Sequence, residues 1–137
     1  MTRNEKREII IKVLYETIML EKANTNYNLE NLIGELTEEK DEFINESLKG
    51  ILKNKDTIIK ISDKYLKDKW EFSRLAVPDQ AIIMLGVYEL LYTDTPNKVA
   101  IDEAIELSKK YSNDDIPKVI NGILDSVLHN EEKINEW

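Results

Sequence analysis

The chain has no cysteine and a single histidine, His129, among its 137 residues. Without cysteine there is no disulfide, no thiolate nucleophile and no sulfur-ligated metal, which fits a reducing, cytoplasmic setting. One imidazole cannot supply a histidine pair for zinc, and a Ser-His-Asp set would have to run through His129. Four glycines and three prolines are too few for a flexible linker, and they form neither a phosphate-cradling loop nor a dinucleotide fingerprint. Long hydrophobic runs are missing as well. The longest, Ala81 to Leu91, contains Glu89 and falls short of the ~20 residues a membrane span needs. Ile9-Ile10-Ile11 is interrupted by Lys12 and Glu16 with no small-residue cleavage pattern after it, so no signal peptide is expected. No segment shows the apolar–polar alternation of a strand.

What is present is charge and helical periodicity. Lysine and arginine number 19 against 27 acids, a net charge of −8. A body of that sign repels phosphate, so nucleic-acid binding would need a local basic patch and would be weak without a partner. The hydrophobic share of 42% is close to the globular average, and the length suits one domain. An all-α fold of about seven helices follows from the spacing, with two small helical subdomains over about 1–66 and 73–137.

Thr2-x-x-Glu5 is a capping-box pattern that opens the first helix, with Ile11, Leu14, Tyr15 and Ile18 at helical spacing until Asn24-Thr25-Asn26. A short helix covers Leu29 to Ile33 and stops at Gly34. Thr37 reads as the cap of a third, with Ile44, Leu48, Ile51 and Leu52 inward and Glu38, Glu39, Asp41 and Glu42 at its positive end. A fourth runs from about Lys55 to Leu66 through Ile58, Ile61 and Tyr65. Pro78 starts a fifth that is apolar nearly all round, which places it at the centre of the bundle. Thr95-Pro96 opens the sixth, whose inward stripe reads Ile101, Ala104, Ile105 and Ser108. The seventh carries Ile116, Val119, Ile120, Ile123, Leu124 and Val127 on one face, and Asp114, Asp115 and Pro117 fix its start.

Three blocks resemble the NusB family of transcription antitermination factors. They are Arg7-Glu followed by Leu14-Tyr15; Ala81-Ile-x-x-Leu85-Gly-x-Tyr88-Glu-Leu-Leu91; and Lys98-Val-Ala-Ile-x-Glu-Ala-Ile-Glu-Leu107 leading to Pro117-Lys-x-x-Asn-Gly-x-Leu-Asp125. The resemblance implies two small helical bundles, no catalysis, no cofactor and no metal. It implies pairing with NusE, a small-subunit ribosomal protein, joint binding of boxA RNA, and service in an RNA polymerase antitermination complex on ribosomal RNA operons. Members of the family also form homodimers that cover the RNA-binding region.

Several residues carry both a functional and a structural reading. Arg3, Lys6 and Arg7 share one helical face at i, i+3, i+4 spacing, suited to successive phosphates, or to a solvated face, since Glu5 and Glu8 alternate with them. Tyr65, among Lys64, Lys67 and Lys69, is either a base-stacking platform or a core-edge tyrosine in phase with Ile58 and Ile61. Lys118 at the start of the seventh helix suits a phosphate, with Asp115 either capping that helix or moderating RNA affinity beside it. Asn121 is read as bonding a backbone group, with contact to RNA the alternative, and Gly122 as allowing a neighbouring helix to approach. Glu89 is the one acid in the central helix and reads as half of a structural ion pair or as a partner contact. Tyr15 and Asp79 are the candidates for the NusE interface, and the helix that carries Gln80 and Met84, where relatives carry arginines, should lie near it. Two other classes compete: a helical adaptor with little RNA binding of its own, and an RNA-modifying enzyme, since NusB-like helical domains also occur fused to ribosomal RNA methyltransferases, which the missing cofactor loop argues against.

Overall fold

A computed structural model describes residues 1–67 and 70–130, so Lys69 lies outside the described residues. Seven α-helices and one 3₁₀ turn account for the regular structure, and there is no strand among the described residues. They are α1 (Arg3–Lys22), α2 (Leu29–Gly34), α3 (Glu42–Lys53), α4 (Lys55–Tyr65), the 3₁₀ turn Phe72–Arg74, α5 (Val77–Tyr92), α6 (Asn97–Tyr111) and α7 (Ile116–His129).

α5 is the axis of the molecule. Every residue from Asp79 to Leu90 is buried, and α1, α3, α4, α6 and α7 all pack against it. A helix apolar on all sides is stable only when neighbours cover all of it. Two glycines make that covering close. A Cβ on Gly86 would stand 3.0 Å from Leu124 of α7, and one on Gly50 of α3 would collide with the Tyr88 ring.

The capping box at Thr2 and Glu5 forms as expected, with each side chain accepting the other's backbone N–H at 3.1 Å. α1 ends at Lys22, and Asn24 takes a positive φ of 53° in the turn that follows. Other boundaries differ from the sequence reading. Asp41, not Thr37, caps α3, accepting from the Ile44 N–H at 2.9 Å; the Thr37 hydroxyl accepts from Glu39 N–H in the preceding turn. Both residues offer a capping oxygen, and only Asp41 stands three residues before an N–H that needs one. α6 starts at Asn97 with no side-chain cap, and its inward stripe is Ala100, Ala104, Leu107 and Ser108; Ile101 and Ile105 are only half-covered. The small Ala100 and Ala104 face inward because α6 lies tight against α5, which leaves the bulkier isoleucines at the margin.

Candidate functional site

The amino-terminal cations do not act as one patch. Each meets a different partner, although the Arg3 and Arg7 guanidiniums both stand near the Phe43 ring. Arg3 is exposed, with its guanidinium 4.0 Å above the Phe43 ring. The Lys6 ammonium pairs with Asp41 at 2.7 Å. Burial alone would raise the Asp41 carboxyl, but Lys6 and the Ile44 N–H reverse this and hold it below its ordinary value. Arg7 is turned inward and only 3% exposed. Its Nε and Nη2 donate to the two Glu89 oxygens at 2.7 and 2.8 Å, and Nη1 donates to Asn4 Oδ1 at 3.1 Å. Burial disfavours the guanidinium charge, and the Glu89 carboxylate more than restores it. Arg7 is therefore spoken for, and the expected three-residue phosphate cradle reduces to Arg3. The hollow at this end, about 580 Å³, also has Glu46, Asp94 and Glu103 in its lining.

A second groove lies between the end of α4 and the first turns of α7. It encloses about 260 Å³ and is lined by Tyr65, Leu66, Lys67, Trp70, Lys118, Val119, Gly122 and Ile123. The local chain builds it in stages. Asp63 Oδ1 accepts from the Phe72 N–H at 2.8 Å, fixing the 3₁₀ turn, and Trp70, whose N–H donates to Lys67 O at 3.2 Å, lines the groove together with Tyr65. Tyr65 and Trp70 are half-buried, with the Lys64 ammonium 5.8 Å from the Tyr65 ring centre. Lys67 and Lys118 are exposed and make no ion pair among the described residues. No carboxylate of the described residues lines this groove. The amino-end hollow, the hollow beside α2 and α3 with Glu30, Glu38 and Glu39, and the one beside α1 and α4 with Glu21 each contain at least one. Asp115 stands at the N-cap position of α7 but makes no side-chain capping bond, and Asn121 is exposed, its side chain making no hydrogen bond among the described residues.

The third surface is apolar. Ile11, Tyr15, Leu32, Leu36, Pro78 and Tyr111 line a groove of about 340 Å³, edged by Lys12, Glu16 and Glu35. Tyr15 and Leu36 are 38% and 43% exposed, as is Met19 nearby on α1 at 43%. Glu8 clasps one end by accepting from Lys110 and from the Tyr111 hydroxyl, both at 2.5 Å, and these bonds hold its carboxyl below the ordinary range. Asp79 does not present its carboxylate to this groove. It is 4% exposed and accepts from the Ser112 hydroxyl, and burial raises its pKa, with Ser112 opposing and the Asp115 charge adding to the rise. Gln80 and Met84 are buried as well, with Gln80 donating to Leu75 O at 2.9 Å, and both back the hollow beside α1 and α4.

Sequence reasoning missed Trp70, Phe43 and Ser112. Trp70 carried a signal, as one of only two tryptophans in a lysine-rich joint; Phe43 and Ser112 carried none, because their roles come from contacts far along the chain.

The NusB family model matches residues 4–129. The chain is 35% identical to the transcription antitermination protein NusB of Pediococcus pentosaceus, covering 93% of this chain and 97% of that one. It is 36% identical to the protein of the same name from Clostridium novyi, covering 93% and 98%. Among solved structures, NusB of T. maritima matches with a TM-score of 0.82 at 31% identity over 100% of this chain and 99% of that one. NusB in a crystal structure of the antitermination factors NusB and NusE with dsRNA shares the fold, with a TM-score of 0.75 at 23% identity over 94% of this chain and 98% of that one.

Proposed function

Because this chain belongs to the NusB family, we propose that it is a transcription antitermination factor that binds boxA RNA together with the ribosomal protein NusE and joins the RNA polymerase antitermination complex on ribosomal RNA operons. It works by binding, without catalysis, in the cytoplasm; no described helix is long and apolar enough to cross a membrane.

The observation that carries the RNA half is the α4–α7 groove, where two lysines with no ion pair among the described residues flank two aromatic rings on a protein of net charge −8. Unstacked bases lie on aromatic faces, and lysines neutralise the flanking phosphates. Lys118 and Tyr65 are the principal contacts, with Lys67 beside them and Arg3 guiding the strand at the amino end. Asp115, one turn from Lys118, weakens phosphate binding by repulsion. NusE docks on the apolar groove around Tyr15, where exposed Leu36 in the lining and Met19 one turn further along α1 gain by being covered. A homodimer using these surfaces would compete with both ligands.

The test is a titration of labelled boxA RNA over a salt series, with and without NusE. Binding should be weak alone and tighter with NusE, with log K falling by about 0.7 per phosphate contact per decade of salt. Lys118→Glu should cost at least roughly tenfold and Arg3→Glu less. A second reading, an adaptor with little RNA binding, is favoured by one observation: Arg7 and Lys6 are already neutralised by Glu89 and Asp41. It predicts no gain in RNA affinity from NusE.

A further inference from the structure

Gly122 has none of the usual structural reasons to be glycine. It sits in the middle of α7, no glycine of the described chain has a positive φ, and a Cβ built on it would meet nothing within 4 Å. The expectation that it admits a neighbouring helix is overturned, since that role belongs to Gly86 and Gly50. Gly34 is equally open, but it ends α2, where glycine is common. An exposed glycine inside a helix costs about 1 kcal/mol relative to alanine. The cost brings no packing in return.

The open space it leaves is part of the α4–α7 groove. Lys118 precedes Gly122 by four residues and Val119 by three, so all three share one helical face opposite Tyr65 and Trp70. The bare backbone deepens the groove where any side chain would stand in it. At about 260 Å³ the hollow is smaller than the roughly 300–1,000 Å³ of sites that enclose drug-sized ligands, and it is of a size for one ring system.

We infer that Gly122 is the specificity-determining residue of this groove: its missing side chain keeps open a slot for a single unstacked RNA base, walled by Tyr65 and Trp70 and floored by Val119 and Ile123. Lys67 and Lys118 take the phosphates on either side. The inference rests on the RNA reading above and adds a defined pocket to it. It explains why a helix that would gain from alanine here carries glycine.

The experiment uses the full chain with NusE and single-stranded boxA RNA, intact or carrying one abasic position at a time. Gly122→Ala should raise Tm and leave NusE binding unchanged while weakening RNA binding several-fold. Gly122→Leu should weaken it by roughly tenfold or more, the scale of one lost base–aromatic stack. The wild type should lose affinity sharply at one abasic position, and Gly122→Leu should be indifferent to that same position. Wild-type RNA affinity in both Gly122 variants, with Lys118→Glu still impaired, overturns the slot and spares the RNA site. Wild-type affinity in all three variants overturns both.

Discussion

Arg7 shows how much a single side chain's direction decides. On a helical wheel it belongs with Arg3 and Lys6, and nothing in its local sequence separates it from them. Glu89 was the legible half of the pair: a lone acid in an apolar helix demands a cation, but the sequence does not say which of 19 lysines and arginines answers. Breaking a buried, doubly hydrogen-bonded pair from one side strands the other charge and costs roughly 3–5 kcal/mol. Arg7→Ala and Glu89→Ala should each lower stability on that scale in urea unfolding. The double variant Arg7→Met, Glu89→Leu should recover most of the loss. Arg7→Glu would set two carboxylates together in the core, so it should lose RNA and NusE binding together by unfolding.

Asp79 offers a test by pH. Its folded pKa is raised, so the native state holds the proton more tightly than the unfolded chain does. By linkage, its contribution to stability falls as pH rises through the window above the ordinary value of 3.8. Asp79→Asn keeps an acceptor for Ser112 and removes the buried charge. It should raise Tm at pH 7, with the advantage shrinking as the pH is lowered toward the ordinary carboxyl range.

Helix identity was readable throughout, and helix edges only where one cap dominated. The Thr2–Glu5 box named its start correctly because both halves of the pattern are local. Between Thr37 and Asp41 the sequence holds two eligible caps, and which one serves depends on where packing of Ile44, Leu48 and Ile51 lets the helix begin. Asp41→Ala should therefore cost about 1 kcal/mol for the cap, and release Lys6 as well, whereas Thr37→Ala should be close to neutral in thermal melts. The inward phase of α6 was misread for a related reason. Hydrophobicity favours the isoleucines, and close helix–helix approach favours the alanines; the second decided because α5 is so near. The α4–α7 groove was half-legible. Tyr65 and Lys118 stood out as residue types, while Trp70 and the empty side of α7 at Gly122 become meaningful only when two elements are placed together.

Over the whole molecule acids outnumber bases 27 to 19, and the apolar groove at Tyr15 is distinct in its lining from the α4–α7 groove. The two binding functions should therefore separate by mutation. Tyr15→Asp should abolish NusE binding in a pull-down or calorimetric titration, leave Tm within a few degrees because the ring is already 38% exposed, and leave the weak NusE-independent RNA affinity intact. Loss of RNA binding by the isolated variant would contradict that separation.

The encasement of α5 on every side has a consequence for how the protein comes apart. The amide hydrogens of its buried stretch, Gln80 to Leu90, are shielded by five other helices, so they should not exchange with solvent through a partial opening that spares the rest. Deuterium should enter α5 last, at the rate of global unravelling, and a protease should find the molecule either whole or wholly undone.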